Sequence, residues 1–119
     1  LEIGIHAARA GVRLGVVSHA IQEHVEGNGF GVVREYVGHG IGRQMHEEPK
    51  VPNFGPPDRG VLLRKGLALA LEPMVTIGDW HTQVHADGWT VSTRDGSLCA
   101  HFEHSIAITD GEAEVLTAL

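Results

Sequence analysis

The 119-residue chain has a single cysteine, no cluster of Lys and Arg, no low-complexity tract and no apolar run close to a membrane span. Each absence removes a class of protein. One thiol, Cys99, cannot form an internal disulfide, which fits a reducing compartment. A bilayer needs about 20 consecutive apolar residues, and no charged-then-apolar leader opens the chain. No membrane partner is therefore expected, and the expected location is the cytoplasm. Nine Lys and Arg against 15 Asp and Glu leave a formal charge of −6. Without a basic patch to neutralise phosphates, a nucleic-acid partner is not expected either. What is present is ordinary for one globular domain, with 42% hydrophobic residues. The chain begins at Leu1 in what already reads as helix interior, whereas domain ends usually fray. The expectation is a fragment.

Leu1, Ile5 and Ala8 recur at helical spacing, which predicts a helix over residues 1–10. A second is predicted from about Val16 to Glu26, with Val17, Ile21, His24 and Val25 on one stripe, ended by Gly27-Asn28-Gly29. His19 and His24 on this helix read as solvent or packing residues. Alternation from Phe30 to Val37 predicts a strand that delivers His39 into a glycine-rich turn, Gly38-His39-Gly40-Ile41-Gly42. Residues 43–60 hold four of the five prolines and read as an ordered, functional loop without regular structure.

Leu67 to Met74 is the most informative strand. Period two puts Leu67, Leu69 and Leu71 on one face and Ala68, Ala70 and Glu72 on the other, with Pro73 ending the ladder. Phe102 to Thr109 repeats the pattern: Phe102, His104, Ile106 and Ile108 share one face, while Glu103, Ser105, Ala107 and Thr109 share the other. In both strands a glutamate stands among small residues. Between them, Asp79 to Thr93 reads as a hairpin with Ala86-Asp87-Gly88 at its tip. His81 and His85 on that hairpin read as surface residues rather than a metal pair. A last short strand covers Ala113 to Thr117. The result is an α+β layer, an antiparallel sheet backed by two helices.

One histidine and two glutamates form an oxygen-rich ligand set with one imidazole, suited to divalent Co, Mn, Fe or Zn. In a two-metal hydrolase carboxylates bridge the ions, and water becomes a nucleophile near neutral pH. His46 lies seven residues after His39, too far for a helical metal pair, so the chain must loop to bring the rings together. His46 is then free to hydrogen-bond a substrate carbonyl or a developing oxyanion.

Gly38-His39-Gly40-Ile41-Gly42 with His46-Glu47-Glu48-Pro49, then Leu71-Glu72-Pro73-Met74, Asp87-Gly88-Trp89-Thr90 and Phe102-Glu103-His104, resembles the C-terminal half of a type I methionine aminopeptidase across essentially residues 1–119. Prolidases and creatinases share the glycine-histidine turn, but Glu-Pro-Met and Asp-Gly-Trp-Thr point to the methionine-specific branch. The resemblance implies half of a pita-bread fold and removal of N-terminal methionine from nascent polypeptides at a site of two divalent metal ions. It implies that His39, Glu72 and Glu103 are metal ligands, Glu103 bridging both ions, with Glu72 also the general base. It implies that His46 contacts the substrate carbonyl, and that Met45 and Trp89 wall the methionine pocket. Met45 departs from an aromatic common in the family; a flexible thioether can fill the same wall.

The larger departure is absence. The family takes two aspartate ligands and another catalytic histidine from an N-terminal half, and none of Asp58, Asp79, Asp87, Asp95 and Asp110 sits where the pair would be. Three ligands cannot fill two shells of about five donors each. The chain alone is therefore expected to bind metal weakly and hydrolyse little, and to need the missing half or self-association across its open small-residue face. The alternatives are a non-catalytic pita-bread interaction module and an inactive truncated fragment. Intact ligand positions argue against a decayed module.

Overall fold

A computed structural model describes residues 1–119. Two helices open the chain, α1 (Glu2–Ala7) and α2 (Leu14–Gly27). The second begins two residues ahead of the expected Val16, and the reason is tertiary. No side chain caps its N-terminus; instead the amides of Leu14 and Gly15 donate to the carbonyls of Val61 and Arg59 at 2.8 and 2.9 Å. Donors that a helix start leaves unpaired are thus satisfied by a segment distant in sequence. Leu14, Val17, Ile21 and Val25 face inward, each burial contributing about 1.5–3 kcal/mol, while His24 stays exposed.

Ten strands follow: β1 (Gly31–Val32), β2 (Gly38–Ile41), β3 (Glu47–Val51), β4 (Ala68–Leu71), β5 (Met74–Thr76), β6 (Thr82–Val84), β7 (Val91–Thr93), β8 (Cys99–His101), β9 (His104–Ala107) and β10 (Glu114–Val115). They form a five-stranded sheet in the order β10-β9-β4-β2-β3, a three-stranded sheet β1-β5-β8, and the ribbon β6-β7. Every pairing is antiparallel. Leu69, Leu71, Ile106 and Ile108 form one core with α2, Val32, Val51 and Leu63, so the large-residue faces of β4 and β9 pack inward as the period-two pattern requires.

Three expectations are corrected. The strand over Phe30–Val37 shrinks to Gly31–Val32, because Arg34 turns aside to sit 5.0 Å from the Phe54 ring, 5.2 Å from the Trp80 ring and 3.3 Å from the Glu26 carboxylate. His39 lies not in a turn but within β2, paired on both sides, with Lys50 of β3 and Ala70 of β4 opposite it. The loop over 43–60 contains strand β3; its proline, Pro49, is accommodated because β3 is the sheet's edge. The hairpin and the last strand are present but shorter than expected, Val91–Thr93 returning from the tip and Glu114–Val115 closing the sheet.

The small-residue faces meet as the alternation predicts. Ala68 stands opposite Ala107 and Ala70 opposite Ser105. The register of β4–β9, with Leu71 opposite His104, continues without a shift into β5–β8, with Met74 opposite His101. Between them the ladder is interrupted, and the Phe102 amide reaches the Pro73 carbonyl at 3.4 Å. The same register places Glu72 across from Glu103. Both carboxylates therefore stand at the one break in a long two-stranded ribbon.

Candidate metal centre

The glycines on either side of His39 are required by close approach. A Cβ on Gly38 would lie 2.2 Å from the Ala70 carbonyl oxygen, and one on Gly40 would lie 2.2 Å from that of Glu48. Neither glycine adopts a positive φ; β2 is squeezed between two neighbours, and only a strand without side chains at these positions fits. That squeeze fixes the imidazole. Its Nδ1 lies 2.9 Å from the Gly40 carbonyl, and a carbonyl only accepts, so Nδ1 carries the proton. Nε2, the other ring nitrogen, faces Glu72 and is the atom a metal would take.

His39, Glu72 and Glu103 bring their ligand atoms within 4.8 Å of one another. They are the only group of three or more His, Cys, Asp or Glu side chains that converge in this way. Glu72 is largely enclosed, its side chain 16% exposed, whereas Glu103 is open to solvent. Burial, and then the negative charge of Glu103, pushes the Glu72 carboxyl above the ordinary carboxylate value of 4.5. His39 Nε2 faces Glu72 Oε1 at 3.4 Å, with a second carboxylate alongside. One imidazole beside two carboxylates is a donor set that fits a divalent metal. Buried Asn53 steadies the backbone, its side-chain amide donating to the Glu72 carbonyl at 3.5 Å.

The β2–β3 connection performs the looping that the seven-residue spacing demands: the His39 and His46 ring centroids lie 4.2 Å apart. Both rings and Glu72 line a cavity of about 450 Å³, a size that takes a small ligand or one amino-acid residue of a larger one. Val33, Tyr36, Val37 and Met74 make its apolar wall, and Thr82, Val91, Ser92 and Thr93 of the hairpin close one side. Met45 and Trp89, by contrast, do not line it; they are 73% and 87% exposed. Cys99, without an expected role, is a lining residue. His101 also lines the cavity, and its Nε2 stands 3.5 Å from Glu72 Oε2. Sequence reading missed His101. The available signal was its parity with Glu103, two residues on, along one strand.

The five aspartates and the hairpin histidines are engaged elsewhere. Asp58 lies beside Arg59, Asp110 pairs with Lys65, and Asp79 holds His81 at 2.6 Å. Asp87 caps its own turn; the Thr90 hydroxyl and the amides of Trp89 and Thr90 hold its carboxyl below the ordinary range. Asp95 is lowered likewise by Ser97 and by the Asp79 amide. His85 bonds Ser92 at 2.8 Å, and His81 stacks on Trp80, so the hairpin histidines form no metal pair.

The sequence matches the profile of metallopeptidase family M24 over residues 1–110. The chain belongs to metallopeptidase family M24. A methionine aminopeptidase of Bacillus subtilis is 53% identical over 114 residues, which are 96% of this chain and 46% of that protein. A methionine aminopeptidase structure from Thermotoga maritima superposes with a TM-score of 0.98 at 59% identity, covering 100% of this chain and 48% of that one. A dipeptidase from Mycobacterium ulcerans, 24% identical with a TM-score of 0.69 over 99% of this chain and 26% of that one, shares the fold. This M24 chain thus has the pita-bread architecture, and it spans about half the length of the curated relatives it matches. Membership implies use of divalent metal, in line with the ligand set. No helix is long and apolar enough to cross a membrane.

Proposed function

We propose that the protein is a methionine aminopeptidase that removes N-terminal methionine from nascent polypeptides in the cytoplasm. The observation that carries this reading is the convergence of His39, Glu72 and Glu103 beside a cavity that His39, Glu72 and His46 line. In this reading His39, Glu72 and Glu103 would hold the divalent ions (two of Co, Mn, Fe or Zn), together with donors from outside these 119 residues. The ions, when bound, supply Lewis acidity and lower the pKa of water toward neutrality.

The chain's own residues account for the rest of the chemistry. Glu72, whose carboxyl binds a proton more readily than an ordinary glutamate, accepts one from the attacking water and returns it to the leaving amine. Hydroxide adds to the methionyl carbonyl carbon, the peptide C–N bond breaks, and free methionine leaves with the shortened chain. His46, its ring centroid 4.2 Å from that of His39, donates a hydrogen bond to the carbonyl oxygen as it gains charge. The apolar wall of Val33, Val37 and Met74 receives the methionine side chain. Met45 and Trp89, now exposed, are proposed to wall that pocket once the partner half covers this face.

The test is release of methionine from a Met-Ala-Ser peptide by the protein as its gene encodes it, with Co or Mn added, beside Glu72→Gln. Loss of a general base lowers the rate by about 10²–10⁴-fold. A protein that neither binds these ions nor frees methionine is instead a non-catalytic pita-bread module, and the proposal fails.

A further inference from the structure

The proposed mechanism uses His39 and His46 and leaves a third ring at the same carboxylate without work. His101 Nε2 lies 3.5 Å from Glu72 Oε2, while His39 Nε2 lies 3.4 Å from Oε1. The carboxylate is therefore flanked by one imidazole on each oxygen. The two rings differ in what they offer. His39 is held through Nδ1 by the Gly40 carbonyl and belongs to the group of converging ligand atoms, its Nε2 facing Oε1. His101 stays outside the group of converging ligand atoms, and its exposed edge is free of that constraint, so it can present an N–H to Oε2.

We infer that His101 is the positioning residue of Glu72: its ring N–H engages Oε2, turning Oε1 toward His39, where the cation is held. The need for such a residue follows from where Glu72 stands. It lies just beyond β4, at the interruption before β5, and the terminal torsion of a glutamate is intrinsically soft. The unshifted register explains how His101 comes to do this. β8 runs antiparallel to β5, with His101 opposite Met74, so His101 shares its face with Glu103 and with Glu72 across the ribbon. Loss of a group that orients a metal-binding side chain typically costs about 10–100-fold in metal affinity.

The inference rests on the metal-centre reading, and its test separates the two. Mn(II) alone is titrated calorimetrically into the metal-free protein as its gene encodes it, together with His101→Leu and His101→Gln. Leucine keeps bulk without a donor; glutamine keeps an N–H. Thermal unfolding in EDTA reports whether each variant folds as the parent does. The leucine variant is expected to bind Mn about 10-fold more weakly or worse, and the glutamine variant to recover most of that loss. Leucine binding Mn as tightly as the parent overturns the inference, as does glutamine binding as weakly as leucine, since the donor would then be irrelevant. A parent that binds no Mn refutes the metal centre itself and this assignment with it.

Discussion

Replacing Glu103 by Gln should make the metal-free protein more stable, and the size of the gain follows from the site. Ligand atoms of Glu72 and Glu103 lie within 4.8 Å. Two unit charges at that distance repel by about 3 kcal/mol at an effective dielectric of 20 and by about 1 kcal/mol in bulk water. Glu103 is exposed, which places the repulsion toward the lower end, about 1–2 kcal/mol. At about 4 °C per kcal/mol, the variant should melt about 4–8 °C higher in EDTA at pH 7. The pH dependence has a definite sign. The folded-state pKa of Glu72 is raised above 4.5, so between 4.5 and the raised value the native state binds more protons than the unfolded one. Stability of the parent therefore falls as pH rises through that window. Below it Glu72 is neutral in both states, and the advantage of the variant should vanish. Saturating Mn should reverse the order of the two proteins, because a ligand bound by the folded state alone stabilises it. Circular dichroism melts at pH 4 and 7, with EDTA and with Mn, read all of this. A variant less stable than the parent at pH 7 in EDTA, or a gain equal at both pH values, would refute the reasoning.

Gly40→Ala should destabilise the protein by about 2–3 kcal/mol, since its new methyl meets the Glu48 carbonyl at 2.2 Å and strand β3 must move; a urea midpoint unchanged from the parent would contradict the squeezed-strand account. The same variant should also weaken Mn binding, because β2 carries His39. Leu69→Ala, at a fully buried position, should cost about 2–5 kcal/mol while leaving Mn affinity of the folded protein within about twofold, as its side chain points away from the carboxylates. Chemical denaturation and calorimetry on one preparation separate these effects.

The parts of the fold legible in the sequence were those in which side-chain size alternates. Leu69 and Leu71 against Ala68 and Ala70, and Ile106 and Ile108 against Ser105 and Ala107, define both faces of β4 and β9. Those faces put Glu72 and Glu103 on the small-residue side, and the strand register brings them opposite one another. The glycines around His39 misled for a physical reason: glycine marks either a positive φ or a close approach, and the letters do not say which. Here it is close approach, so a strand was read as a turn. Pro49 misled similarly, since it argues against a strand except at an edge, and edge position is a property of the whole sheet. The early start of α2 is invisible locally because its cap comes from the Arg59 and Val61 carbonyls. His101 carries no motif; only the register shared by β5 and β8 makes it a neighbour of Glu72.

That register also explains why the carboxylates stand where they do. Like charges placed directly opposite in an intact antiparallel pair repel and destabilise it, so a continuous ribbon would resist Glu72 facing Glu103. Pro73 supplies no amide to the ladder in any case, and the interruption there leaves the two glutamates free to splay or to be drawn together. A cation decides between those states. Ala68, Ala70, Ser105 and Ala107 put only small side chains on the neighbouring face. The same pair of carboxylates that costs the metal-free protein stability is therefore what makes the site selective for positive charge, and deleting either one should trade one property for the other.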